Sequence, residues 1–124
     1  MGSITYQVAV DEYGTEWRLD GKLHREDGPA IERVIGTKLW YLNDQLHREN
    51  GPAIEWANGS KFWLVCDQYH REDGPAIELA DGYKAWYLNG VKMTKKRHQS
   101  QTRRAVELTI KIEQSLDKRV EIIK

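Results

Sequence analysis

Aromatic and β-branched residues alternate with polar ones as far as Met93, in short runs broken by Asn-Gly, Asp-Gly and Gly-Pro. "AIEWANGSKFWLV" (Ala53 to Val65) and "AIELADGYKAWYL" (Ala76 to Leu88) place such runs on both sides of Asn58-Gly59 and Asp81-Gly82. These dipeptides tolerate the positive φ that type I′ turns require, so each pair of runs predicts a β-hairpin. The pattern then repeats with a period of 23. Trp17, Trp40, Trp63 and Trp86 keep that step, as do His24, His47 and His70 and the Gly-Pro pairs at 28–29, 51–52 and 74–75. Self-similarity at a fixed period of this length is the signature of a repeat array.

A two-residue turn at Asn58-Gly59 sets Ile54 opposite Trp63. The same rule sets Ile77 opposite Trp86, Ile31 opposite Trp40 about Ile35-Gly36, and Val10 opposite Trp17 about Tyr13-Gly14. Aromatic on β-branched pairs of this kind contribute roughly 0.2–1 kcal/mol each to a sheet. The tryptophans then form a ladder on one face, and Glu32, Glu55 and Glu78 fall on the other with Tyr41 and Tyr87. The expected fold is mainly β, a single-layer antiparallel sheet of about four hairpins over residues 1–93. Equivalent residues of successive units lie about 10 Å apart in such a sheet. Residues 94–124 form a small α or α+β tail.

Between the hairpins runs "LHREDGPAIE" (Leu23 to Glu32), written again as "LHRENGPAIE" (Leu46 to Glu55) and "YHREDGPAIE" (Tyr69 to Glu78). Its imidazole and charges suggest a reactive loop, but an active site needs different groups converging on one substrate. Identical sets about 10 Å apart cannot share a metal whose ligand bonds are about 2 Å long. No Ser/His/Asp or Cys/His set and no glycine-rich phosphate loop stands out. The stretch is therefore read as a connector, in which Gly-Pro turns the chain and Pro begins the next strand. Arg25, Arg48 and Arg71 can pair with glutamates along the sheet edge, and the histidines are expected to pack as half-buried hydrogen-bonding wedges. No catalytic, metal-binding or cofactor residue is assigned.

The period stops at Thr94, a fair N-cap. "KKRHQSQT" can form two helical turns, and "RRAVELT" then alternates Val106, Leu108 and Ile110 as a strand would. The reading favoured is a broken tail, with a short helix from Ile110 to Asp117 capped by Thr109 and a final strand "RVEIIK". The rival is one helix from about 100 to 118, with Leu108, Ile112, Leu116 and Val120 at steps of four.

The net charge of zero hides an asymmetry. Through Met93 there are 10 Lys+Arg and 15 Asp+Glu, a balance of −5, and from Thr94 onward 9 and 4, a balance of +5. Lys95, Lys96, Arg97, Arg103 and Arg104 lead the basic tail. They are expected to form a solvated helix face or to match the acidic body of the same chain, and phosphate contact on nucleic acid or a nucleotide is the alternative. No aromatic residue follows Tyr87 to stack on bases. Cys66 is the single cysteine, no secretory apolar segment follows Met1, and no apolar run reaches about 18 residues. A cytoplasmic protein that does not attach to membranes is expected.

A 23-residue hairpin unit with Trp on one strand, an Asx-Gly turn and a His-containing connector resembles the MORN (membrane occupation and recognition nexus) repeat. The usual Tyr-x-Gly-x-Trp and His-Gly-x-Gly are replaced here by "WYLN" and "HREDGPA". The closer likeness is to MORN-like proteins with "HREDGPA" repeats, small products of bacteriophages, giant viruses and some bacteria. "WYLNGVKMT" (Trp86 to Thr94) is similar to the close of those arrays. The resemblance covers roughly residues 5 to 94. It implies the hairpin-repeat scaffold and a viral accessory role, binding and inhibiting a host defence factor in the host cytoplasm. The partner surface then comprises the tryptophans, His24, His47 and His70, Arg25, Arg48 and Arg71, and the five tail cations. A homodimer through the tail, or capture of a nucleotide in a groove between tail and sheet, are the other readings.

Overall fold

The computed structural model describes residues 4–123, and side chains as far as Arg119. The outer ends of the two predicted segments, residues 1–3 and Lys124, lie outside the described residues. Fourteen short strands and one helix follow in chain order. They are β1 (Gln7–Asp11), β2 (Gly14–Leu19), β3 (Lys22–Leu23), β4 (Ile31–Arg33), β5 (Lys38–Leu39), β6 (Tyr41–Leu42) and β7 (Gln45–Leu46), then β8 (Ile54–Glu55), β9 (Lys61–Phe62), β10 (Leu64–Val65) and β11 (Gln68–Tyr69), and finally β12 (Ile77–Glu78), β13 (Lys84–Leu88), β14 (Val91–Met93) and α1 (Lys95–Ile123). The main sheet has ten strands in the order β1-β2-β4-β5-β8-β9-β12-β13-β14, with β3 attached to β2. All its pairings are antiparallel. The fold is thus mainly β, a hairpin repeat with a helical tail.

Each unit reverses twice, and Asn58-Gly59 and Asp81-Gly82 do not form the type I′ turns predicted there. At Asn58-Gly59, Trp56 N–H donates to Ser60 O and Gly59 N–H to Trp56 O. Only Gly59 has positive φ there, at 93°. This is a three-residue loop, a type I turn closed by a left-handed glycine. The Asn58 side chain helps to select it by accepting from Ser60 N–H at 2.9 Å, and Asp81 does the same for Tyr83 at 3.0 Å. The two-positive-φ signature appears instead at Asp20-Gly21, Asn43-Asp44, Cys66-Asp67 and Asn89-Gly90. These turns close second, shorter hairpins, β2-β3, β6-β7, β10-β11 and β13-β14.

The extra loop residue moves the register of the three following hairpins by one. Ile54 faces Phe62, Ile31 faces Leu39 and Ile77 faces Ala85, in place of Trp63, Trp40 and Trp86. In the first hairpin Val8 faces Trp17 and Val10 faces Thr15, because Asp11 closes a tighter turn by accepting from the N–H groups of Tyr13 and Gly14. A one-residue slip exchanges the faces of a strand's partners, so the expected Ile–Trp pairs do not form. Glu32, Lys38, Glu55, Lys61, Glu78 and Lys84 line up across the sheet on the tryptophan side, and the placement of the glutamates on the opposite face is overturned. Ile31, Leu39, Ile54, Phe62, Ile77 and Ala85 form the apolar row behind them. Tyr41 and Tyr87 follow the tryptophans into the short hairpins.

The core is thin. Ile54 and Leu64 are buried with Ala53, and Leu39, Leu46, Phe62 and Tyr69 pack around them, so the short hairpins cover the apolar row. This packing raises two phenols. Tyr41 titrates above the usual 10.0 chiefly through burial, helped by Asp67 and Asp44, and Tyr69 through burial and the neighbouring Tyr87. A raised folded value contributes stability that is full below the unfolded value and is lost as pH climbs through the folded one. Stability is therefore expected to fall above pH 10. Urea unfolding across the alkaline range, with phenolate absorbance recorded in parallel, checks this. Tyr41→Phe should flatten the fall, and an unchanged slope in that variant would refute the assignment.

The tail is one helix, which overturns the broken reading in favour of its rival. Thr94 caps it, accepting from Arg97 N–H at 3.2 Å. Thr109 does not start a new helix. Its hydroxyl donates to Ala105 O at 3.0 Å, as that of Thr102 does to His98 O, and such bonds one turn back let a helix continue. The helix packs against β13 through its first turns, and every residue from Arg103 to Arg119 is exposed. No helix among the described residues is long and apolar enough to cross a membrane.

Candidate interaction surface

The connectors form one edge of the array, and each conserves a set of bonds that accounts for its residues. Arg25, Arg48 and Arg71 lie over the rings of Trp17, Trp40 and Trp63 at 4.0, 3.9 and 3.8 Å. Nη1 of each arginine donates to the carbonyl of Pro29, Pro52 or Pro75 at 3.1–3.3 Å. The same nitrogen approaches Glu32, Glu55 or Glu78 at 3.9, 3.5 and 3.2 Å. Nε of Arg25 and Arg71 also binds Asp27 and Asp73. The glycines of Gly-Pro leave room for the guanidinium groups. A Cβ on Gly28, Gly51 or Gly74 would sit 2.8–3.0 Å from the guanidinium carbon. Each guanidinium is therefore held between an indole ring and a bare glycine, where a planar cation fits and a side chain would not.

The histidines link one unit to the next. Nδ1 of His24, His47 and His70 accepts from the backbone N–H of Asn43, Cys66 and Asn89, each the first central residue of the following I′ turn, at 2.9–3.1 Å. An accepting Nδ1 carries no proton, which places the ring proton of the neutral form on Nε2. That nitrogen faces Glu26, Glu49 or Glu72 at 3.5–3.6 Å. The second turn residue adds a further clasp, since Asp44 and Asp67 accept from Leu23 and Leu46 N–H at 2.6 and 2.7 Å. In one unit Cys66 replaces the Asx, and its Sγ lies 3.5 Å from His47 Nδ1, a Cys/His contact that the sequence does not announce. No group of three or more His, Cys, Asp or Glu is placed to hold a metal among the described residues.

At the end of the array the pattern changes. Lys95 takes the cation's place over Trp86, but at 5.9 Å. His98, absent from the candidates read in the sequence, is 1% exposed and bonds Arg71 O through Nε2 at 2.5 Å. It pins the first turn of α1 to the last connector. The signal was its position one turn after the Thr94 cap and one turn before Thr102, on one helix face. The other tail cations, Lys96, Arg97, Arg103 and Arg104, are exposed, and no ion pair joins a cation of α1 to the body among the described residues. Of the two roles expected of these cations, the structure shows the solvated helix face and not the match to the acidic body.

Three open grooves lie along the connectors. Two are floored by Trp40 and Trp63 and hold roughly 590 and 780 Å³. The third, roughly 880 Å³, lies between the last connector and α1 and contains Trp86. Comparison with known proteins finds no matching family, no matching curated protein and no matching solved structure. The fold and surface define a class in their own terms. It is a repeat protein of two hairpins per unit, clasped by arginine-on-tryptophan stacks and ended by a projecting helix.

Proposed function

We propose that the protein is a non-enzymatic protein-interaction module that presents α1 to a partner protein. One observation carries this reading. Leu108, Ile112 and Leu116, spaced four residues apart on one face, are 52–60% exposed on the part of the helix that lies beyond its first turns. An amphipathic helix with an uncovered apolar stripe is the form taken by ligands that dock into hydrophobic grooves. The connectors support the same reading, since their arginines and histidines are spent on holding units together. The likeness to repeats of phage products directs the search to a host protein, with inhibition of a defence factor as the proposed outcome.

The full chain carrying Leu108→Glu, Ile112→Glu and Leu116→Glu together is expected to keep its melting temperature, because all three side chains are exposed. It should lose its partner in a pull-down from host lysate. Light scattering of the unmodified chain separates a foreign partner from a second copy. A monomer that recovers the same protein with and without the substitutions would sink the proposal.

A further inference from the structure

The array ends on an aromatic ring that lacks what its copies have. Trp17, Trp40 and Trp63 each carry a guanidinium within 4.0 Å, whereas Trp86 has only the Lys95 ammonium at 5.9 Å. One period beyond Arg71 stands Thr94, and α1 runs where a fourth connector would lie. The space left over is the groove of roughly 880 Å³. Trp86 and Leu88 lie along its sheet side, Val106 and Ile110 along its helix side, and Glu72 and Asp73 on the connector side. Both carboxylates are exposed, and Arg103 is the single Lys or Arg in the lining.

We propose that this groove seats an arginine side chain of the partner protein, stacked on Trp86 with its N–H groups turned to Glu72 and Asp73. This rests on the interaction-module reading and names the chemistry of the partner. The chain itself supplies the template three times, in a guanidinium lying on indole with carboxylates at its edge. Arginine is favoured over lysine because its planar, weakly hydrated cation stacks on a ring face, while an ammonium stays hydrated. A phosphate-bearing ligand is disfavoured, since the exposed carboxylates of Glu72 and Asp73 oppose its charge. Lys95 is a loose occupant of the same ring, and a closer cation displaces it.

The test is a titration of the full chain with N-acetyl-arginine amide, followed through the tryptophan indole N–H resonances by NMR. The Trp86 signal, assigned with Trp86→Leu, is expected to shift and saturate. The lysine analogue should bind about threefold more weakly or worse, and uncharged N-acetyl-citrulline amide should leave the signal in place. Lys95→Ala, on an exposed side chain, should tighten arginine binding about twofold to threefold by clearing the ring. An unmoved Trp86 signal, an equal shift with citrulline, or a shift with ATP alone would overturn the proposal. A partner that depends on the α1 stripe but ignores Trp86→Leu would leave the module standing and remove this site. Arginine binding at Trp86 in a chain that recovers no protein would keep the site and remove the module.

Discussion

Arg48→Ala is expected to destabilise the protein by about 3 kcal/mol, a large share of what so thin a core provides. The loss has three parts. The Trp40 ring loses its cation, Pro52 O loses a charge-assisted donor, and the half-buried Glu55 loses its arginine. Glu55 is 33% exposed at its side chain, so solvent screens part of that last cost. Denaturant unfolding measures the change, and Arg48→Lys should recover only a part of it, since an ammonium reproduces neither the stack nor the fork. The sharper test is a double-mutant cycle with Gly51→Ala. On its own, the new methyl would sit 2.8 Å from the guanidinium carbon and lift Arg48 from its seat. In the Arg48→Ala background that obstacle is gone, so the two losses should fall well short of additive. Additive losses would mean that Gly51 is kept for some other reason.

Gly14→Ala should cost a similar amount by a different route, about 3 kcal/mol. Gly14 has φ of 148°, and a Cβ there would lie only 1.9 Å from Glu32 O, a backbone atom of the neighbouring strand β4 that cannot swing aside. The chain can yield only by breaking the pairing of Gly14 with Arg33 and Thr15 with Glu32, which joins the first hairpin to the rest of the array. Hydrogen exchange should therefore show the β1 and β2 amides opening while β8 to β13 keep their protection. Uniform loss of protection would show that the first hairpin holds the whole array, and unchanged exchange would refute the clash. Gly59→Ala is the milder comparison. Its φ of 93° strains a side chain, but nothing lies within 4 Å of the new methyl.

Much of this was legible in the residues. The period of 23, the hairpins, their antiparallel succession and the end of the array at Thr94 all follow from where Trp, Gly-Pro and Asx-Gly recur. The connector reading also holds in geometry, and His24, His47 and His70 do act as hydrogen-bonding wedges. Asn58-Gly59 misled because an Asx-Gly pair suits two loops. A side-chain bond to Ser60 N–H chose the three-residue one, and the register moved with it. Two of the second hairpins were hidden because Asn43-Asp44 and Cys66-Asp67 contain no glycine at a position needing positive φ. What holds those residues there is contact with the preceding unit, through Leu23 and His24 or Leu46 and His47.

The sequence by itself determined whatever is local and periodic, because repeated residues with the same short-range preferences fold the same way each time. It could not show that an arginine finds a tryptophan eight residues earlier across a bare glycine, or that the tail stays helical beyond the body. Those outcomes depend on which surfaces meet once the chain has folded. Arg25, Arg48 and Arg71 are held by rings and carbonyls that adjoin them only in the assembled sheet. The helix is anchored where His98 finds the Arg71 carbonyl, and among the described residues no later side chain of α1 is buried.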